Sequence, residues 1–104
     1  MKINYEFDYV LGQVLREKRI IKDYSMQYVA DKLGTTKQAI FRYEKAIVSM
    51  KNSTFQKYCR GIGENPVGIY EEVSLKYMRY VDSHKDEIMK GGIKNESRNK
   101  KTKR

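Results

Sequence analysis

Between Met26 and Tyr43 the chain reads MQYVADKLGTTKQAIFRY, and the spacing inside that stretch admits few folded solutions. Apolar side chains fall at Val29, Leu33, Ile40 and Tyr43, with Ala30 beside the first and Gly34 beside the second. Two short helices meet this pattern, one presenting Val29 and Leu33, the other Ile40 and Tyr43. Helices that cross steeply, at roughly 90–120°, approach so closely that little more than Ala fits at the crossing, which assigns Ala30 to it. The turn between them asks for a left-handed residue, and Gly34 supplies one without a Cβ penalty. Ser25 and Thr36 stand one residue ahead of the two helical stretches, where a hydroxyl caps the first amides. The six framework residues hold the second helix on the first. They leave its opposite side, with Lys37, Gln38, Phe41, Arg42 and Lys45, free.

The rest of the chain is helical by the same criterion. Phe7, Leu11, Val14, Leu15, Lys18 and Ile21 predict an amphipathic helix over about 6–22. The helix capped by Thr36 runs to about Lys45, with Ile40, Tyr43 and Ile47 on one face. Phe55, Tyr58, Cys59 and Ile62 predict a fourth helix ended by Gly63, and Asn65-Pro66 is a cap followed by proline at the first position of a fifth. From Val73 a stripe of Tyr77, Tyr80, Val81, His84 and Ile88 continues to about Lys90. No segment alternates with period two for long enough to be a strand. The expected fold is all-α: a five-helix domain over 1–72, an additional C-terminal helix over 73–90 and a tail over 91–104.

The formal net charge is +9, but residues 90–104 hold seven basic side chains against one acidic, so much of the excess lies in the tail. With Ile93 as its one apolar residue, that tail is expected to be disordered, serving either as a solubilising extension or as a phosphate-binding arm. One Cys and one His exclude a disulfide framework and a Cys/His zinc site within one chain, so no metal or other cofactor is expected. Cys59 reads as buried filler, and Asp82, Asp86 and Glu87 read as a solvated helix face. Any nucleophile–base arrangement would have to use His84, which argues against an enzyme. No apolar run approaches the ~18 residues of a membrane span and Met1 to Gly12 contains no signal-peptide core, so the expectation is a soluble cytoplasmic protein away from membranes.

Residues 7–73 resemble the phage-repressor-type family of helix-turn-helix DNA-binding domains (lambda repressor/Cro-like, XRE). The matching segments are LGQVLREKR at 11–19, YSMQYVADKLGTTKQAIFRYEKA at 24–46 and the helix with turn at 52–69. The resemblance implies that the third helix enters the major groove of double-stranded DNA with Lys37, Gln38, Phe41 and Arg42 at base edges. Gln suits adenine there, and Lys and Arg suit guanine. It places Ser25, Gln27, Thr36, Lys45, Ser49 and Lys51 near phosphates. Met26 stands where the family usually has a phosphate-touching Gln, and Gln27 is the neighbour able to substitute. Phe41 replaces a small polar residue and either packs on a thymine methyl or tucks against the second helix. Arg19 and Glu44 match a pair that forms a buried salt bridge between the first and third helices in several members.

Such domains read two half-sites with two-fold symmetry, which favours a homodimer. The stretch 73–90 then either folds back on its own core or pairs with the same helix of a second chain, and the symmetry favours pairing. The expected function is a sequence-specific transcriptional regulator, a repressor of phage or mobile-element type on a palindromic operator. Two alternatives stand beside it. One is an antitoxin-like protein that binds a protein partner through 73–90, the other nonspecific nucleic-acid binding through the tail.

Overall fold

A computed structural model of the chain describes residues 7–83, and these form five helices with no strand among them. They are α1 (Phe7–Ile21), α2 (Met26–Leu33), α3 (Lys37–Glu44), α4 (Asn52–Gly61) and α5 (Pro66–Ser83). The expected tail, and the part of the 73–90 stretch beyond Ser83, lie outside the described residues.

Local chemistry starts and stops each short helix. The Ser25 hydroxyl oxygen accepts from the Tyr28 amide at 3.0 Å and that of Thr36 from the Ala39 amide at 3.1 Å. Asn65 accepts from the Val67 amide at 2.8 Å, across Pro66 at the first position of α5. The first four helices end alike, with an amide beyond the helix reaching back six residues, inclusively counted, to a carbonyl. Tyr24 reaches Arg19 at 3.1 Å, Thr35 reaches Ala30 at 2.9 Å, Ile47 reaches Arg42 at 2.9 Å and Glu64 reaches Cys59 at 2.8 Å. This stop requires a left-handed residue just before the donor, and Gly34 and Gly63 adopt it readily at φ 69° and 73°. Asp23 and Ala46 adopt it too, at φ 63° and 59°, although a Cβ in this region costs roughly 1–2 kcal/mol. The reversal at Ala46 carries the chain away from α3. Ile47, expected on one face with Ile40 and Tyr43, is therefore 63% exposed.

Around one core, α1 lies chiefly on α5 and α3, while α2 is held between α3 and α4. Its centre is Val14 and Leu15 of α1, Val29 and Ala30 of α2, Ile40 of α3, Tyr58 and Cys59 of α4, Ile62, and Ile69 and Val73 of α5. Leu33, Tyr43 and Tyr77 pack against its edge. Burial, aided by the nearby Glu64 charge, pushes the Cys59 thiol up to about 12, which fits filler rather than a reactive group. The expected boundary at residue 72 falls inside α5, which runs unbroken through it and buries Val73 completely. The segment from 73 to 83 is thus the second half of α5.

A close helix approach occurs at Gly12, in the middle of α1. A Cβ there would lie 2.8 Å from the Tyr43 carbonyl oxygen and 2.9 Å from the Glu44 carbonyl carbon, and nearer still to the Glu44 oxygen. All three atoms are backbone, so no side chain can swing aside. Gly12→Ala should push the last turn of α3 off α1 and destabilise the protein by about 1–3 kcal/mol. In urea unfolding the midpoint should drop with the slope unchanged.

Candidate nucleic-acid interface

Helix α3 spans only two turns, and its inward and outward sides separate cleanly. Ile40 and Glu44, one turn apart, are buried, whereas Lys37, Gln38, Phe41 and Arg42 are exposed. The outward four form two columns, Lys37 above Phe41 and Gln38 above Arg42, because residues four apart stack along a helix. Phe41 is 41% exposed, and the Lys45 ammonium lies 5.9 Å from its ring centroid, within cation–π range. The ring is held at the surface beside Lys45 rather than folded away beneath α2.

Flanking polar residues differ in what they have left to offer. Ser25 and Thr36 use their oxygens as acceptors in capping, so each hydroxyl proton can point outward. Gln27 gives one amide hydrogen to Asp31 at 2.9 Å and retains the other. Lys51 is exposed at the residue preceding α4, which it leaves without a side-chain cap. Ser49 donates its hydroxyl proton to Asp8 of α1, so it can reach a phosphate only by leaving that carboxylate. Asp8 is a contact the sequence did not announce.

The charge distribution is more one-sided than the net charge suggests. From residue 32 to residue 63 the chain carries Lys32, Lys37, Arg42, Lys45, Lys51, Lys57 and Arg60, all exposed, and the only carboxylate is Glu44. Among the described residues none of these seven cations forms an ion pair. By contrast, three lysines on the α1–α5 side are matched: Lys18 with Glu72 at 3.0 Å, Lys22 with Glu64 at 3.2 Å and Lys76 with Glu17 at 3.3 Å. The Lys18 hydrogen bond holds the Glu72 carboxyl below its ordinary value and raises Lys18 in turn.

Glu44 is only 2% exposed, and its charge is met within the protein. Arg19 grips it in a fork, Nε to Oε2 at 2.7 Å and Nη2 to Oε1 at 3.0 Å. The remaining Arg19 nitrogen, Nη1, donates to the Tyr24 carbonyl at 2.8 Å, which ties in the turn leading to α2. Tyr58 of α4 adds a hydrogen bond from its hydroxyl to Glu44 Oε2 at 2.5 Å. Burial, reinforced by the bond to Glu44, pushes the Tyr58 phenol well above its ordinary value and keeps it a donor. The same carboxylate raises Arg19 further.

The face so built is made of cationic, hydroxyl, amide and aromatic side chains. Among the described residues no cluster of three His, Cys, Asp or Glu side chains could hold a metal ion, and no helix is long and apolar enough to cross a membrane. It offers forked and linear donors, an amide able to pair with a base edge, an exposed ring and uncompensated positive charge. Compared with known families, residues 15–69 match the model described as helix-turn-helix. Among curated proteins none matches the chain.

Truncating Glu44 to alanine would strand the Arg19 guanidinium and the Tyr58 hydroxyl in the core. Glu44→Ala should therefore lower unfolding free energy by about 3–5 kcal/mol, measured by denaturant titration. A loss below about 1 kcal/mol, the range of exposed pairs, would contradict the burial described here.

Proposed function

Since the chain belongs to the helix-turn-helix family of lambda repressor and Cro and is a DNA-binding transcription regulator of that type, we propose that it is a sequence-specific repressor acting as a homodimer on a palindromic operator. The observation that carries this reading is the run of exposed, unpaired cations from Lys32 to Arg60, within which the sole carboxylate is buried and neutralised. A segment so dominated by exposed cations favours a polyanion as its partner.

In this reading α3 lies in the major groove. Gln38 pairs with adenine, Arg42 and Lys37 reach guanine O6 and N7, and the Phe41 ring covers a thymine methyl. Thr36, Ser25 and Gln27 donate to phosphates on one side, Lys45 and Lys51 on the other, fixing register without reading sequence. Ser49, committed to Asp8, contributes least. Repression follows from occupying promoter DNA and needs no chemical step.

Selection of bound fragments from a random DNA pool, with the full chain, tests the reading. One duplex family should emerge, and Gln38→Ala and Arg42→Ala should each weaken binding to it by about 1–3 kcal/mol while leaving binding to random duplex unchanged. Lys51→Ala should weaken both alike and reduce the salt slope by about one. Equal losses on both duplexes for the Gln38 and Arg42 variants would contradict sequence reading.

The outer face of α5 supports pairing with a second copy. Leu75 and Met78 are 50% and 60% exposed, and Glu71 and Arg79, both exposed, stand equally far from Leu75 along the helix. Two α5 helices crossing antiparallel at Leu75 would set each Glu71 against the other's Arg79, a self-complementary arrangement suited to two-fold symmetry. Leu75→Glu with Met78→Glu should shift the protein from dimer to monomer in sedimentation and make its melting temperature independent of protein concentration. Truncation after Glu72 would be a poorer test, because it removes the buried Val73 from the core.

A further inference from the structure

Tyr58 fills a fully buried slot in the core, yet a phenylalanine would fill the same space. Its hydroxyl is what distinguishes it, and that hydroxyl is spent on Glu44 Oε2, the atom that also accepts from Arg19 Nε. We propose that Tyr58 is a positioning residue for DNA recognition: by holding the Glu44 carboxylate from α4, it fixes the rotation of α3 about its own axis and so sets how sharply the outer face discriminates sequence. The proposal rests on the reading of that outer face given above.

The geometry distinguishes what Arg19 and Tyr58 each supply. The Arg19 fork lies along the two oxygens and tethers the end of α3 to α1. The fork ties the carboxylate to α1 alone, so the end of α3 can still shift, together with Arg19, relative to α4. A third bond, arriving from a different helix, removes that freedom. Glu44 is the last residue of α3, three positions from Phe41 and two from Arg42, so a small rotation at Glu44 passes directly to both side chains. Main-chain contact at Gly12 sets how close α3 comes to α1, and the hydroxyl of Tyr58 sets which way it faces.

Tyr58→Phe, in the full chain, tests this. Affinity for the duplex selected by the wild-type protein should fall about 5- to 20-fold, at or below the low end of what one hydrogen bond to a charged group contributes. Affinity for a random-sequence duplex should stay within about two-fold, as expected when only base contacts are misaligned. Ile69→Val, a core change on α5 away from the bridge, should leave both affinities at wild-type values. A Tyr58→Phe protein that binds the selected duplex as tightly as wild type, or that loses equally on both duplexes, overturns the proposal. A wild-type protein that selects no duplex overturns instead the reading of the outer face. Should Tyr58→Phe fail to fold, the wild-type hydroxyl proton decides by nuclear magnetic resonance. A slowly exchanging resonance with contacts to Glu44 in both free and DNA-bound protein supports the role, and its loss on binding the selected duplex overturns it.

Discussion

A buried charge pair governs this molecule. Removing a guanidinium and a carboxylate from water costs several kcal/mol per ion unless the lost hydration is replaced by well-placed partners. Here the replacement is close to complete. Arg19 divides its donors between Glu44 and the Tyr24 carbonyl, and Glu44 takes Arg19 on both oxygens and Tyr58 on one. Such a pair need not stabilise the fold relative to apolar side chains of equal volume. What it supplies is direction, because a forked ion pair has one good geometry and an apolar contact has many. Through it α1, the turn before α2, α3 and α4 converge on the end of a single short helix.

The same pair shapes the field outside the protein. Glu44 is the only negative charge between Asp31 and Glu64, and leaving it at the surface would place it among seven cations. Its burial against Arg19 cancels two charges internally and leaves α3, the following loop and α4 with exposed cations and no exposed carboxylate of their own. On the other side, α1 and α5 pair their lysines with Glu17, Glu64 and Glu72 and present little net charge. The polarity of the molecule arises from where the acids sit rather than from an excess of bases, and the net charge of the whole chain conceals it.

Much of this was legible in the residues. The spacing of Val29, Ala30, Leu33, Gly34, Ile40 and Tyr43 admits two crossed helices, and the hydroxyls of Ser25 and Thr36 cap them as their positions imply. The features that escaped share a cause, since each depends on contact between segments distant in sequence. Gly12 sits in a helical run, where a glycine is easily passed over. Only the arrival of α3 explains why no larger residue fits. Tyr58 did leave a trace. A tyrosine on a core face needs a partner for its hydroxyl, but nothing in the sequence singled out Glu44 over Glu64. The stop at Ala46 could not be read, because alanine carries no mark of a left-handed residue. Because of that stop, Ile47 leaves the face it was expected to share with Ile40 and Tyr43.

Helix α3 has eight residues, too few to be stable in isolation, since helices below about 12–15 residues are marginal in water. Its shape is therefore imposed by the cap at Thr36, the burial of Ile40, the clasp on Glu44 and the reversal at Ala46. None of these uses the side chain of Lys37, Gln38, Phe41 or Arg42, all of them exposed and adding little to the core. The division has a consequence for how such a surface can change. A substitution among the outward four alters what the helix touches without altering where it lies, whereas one at Gly12, Arg19, Glu44 or Tyr58 alters where it lies whatever it touches. On the proposed reading of the outer face, the bridge fixes a frame in which the outward four are free to vary, and the two kinds of change should leave different marks on binding: a new preferred sequence in the first case, a weaker preference for every sequence in the second.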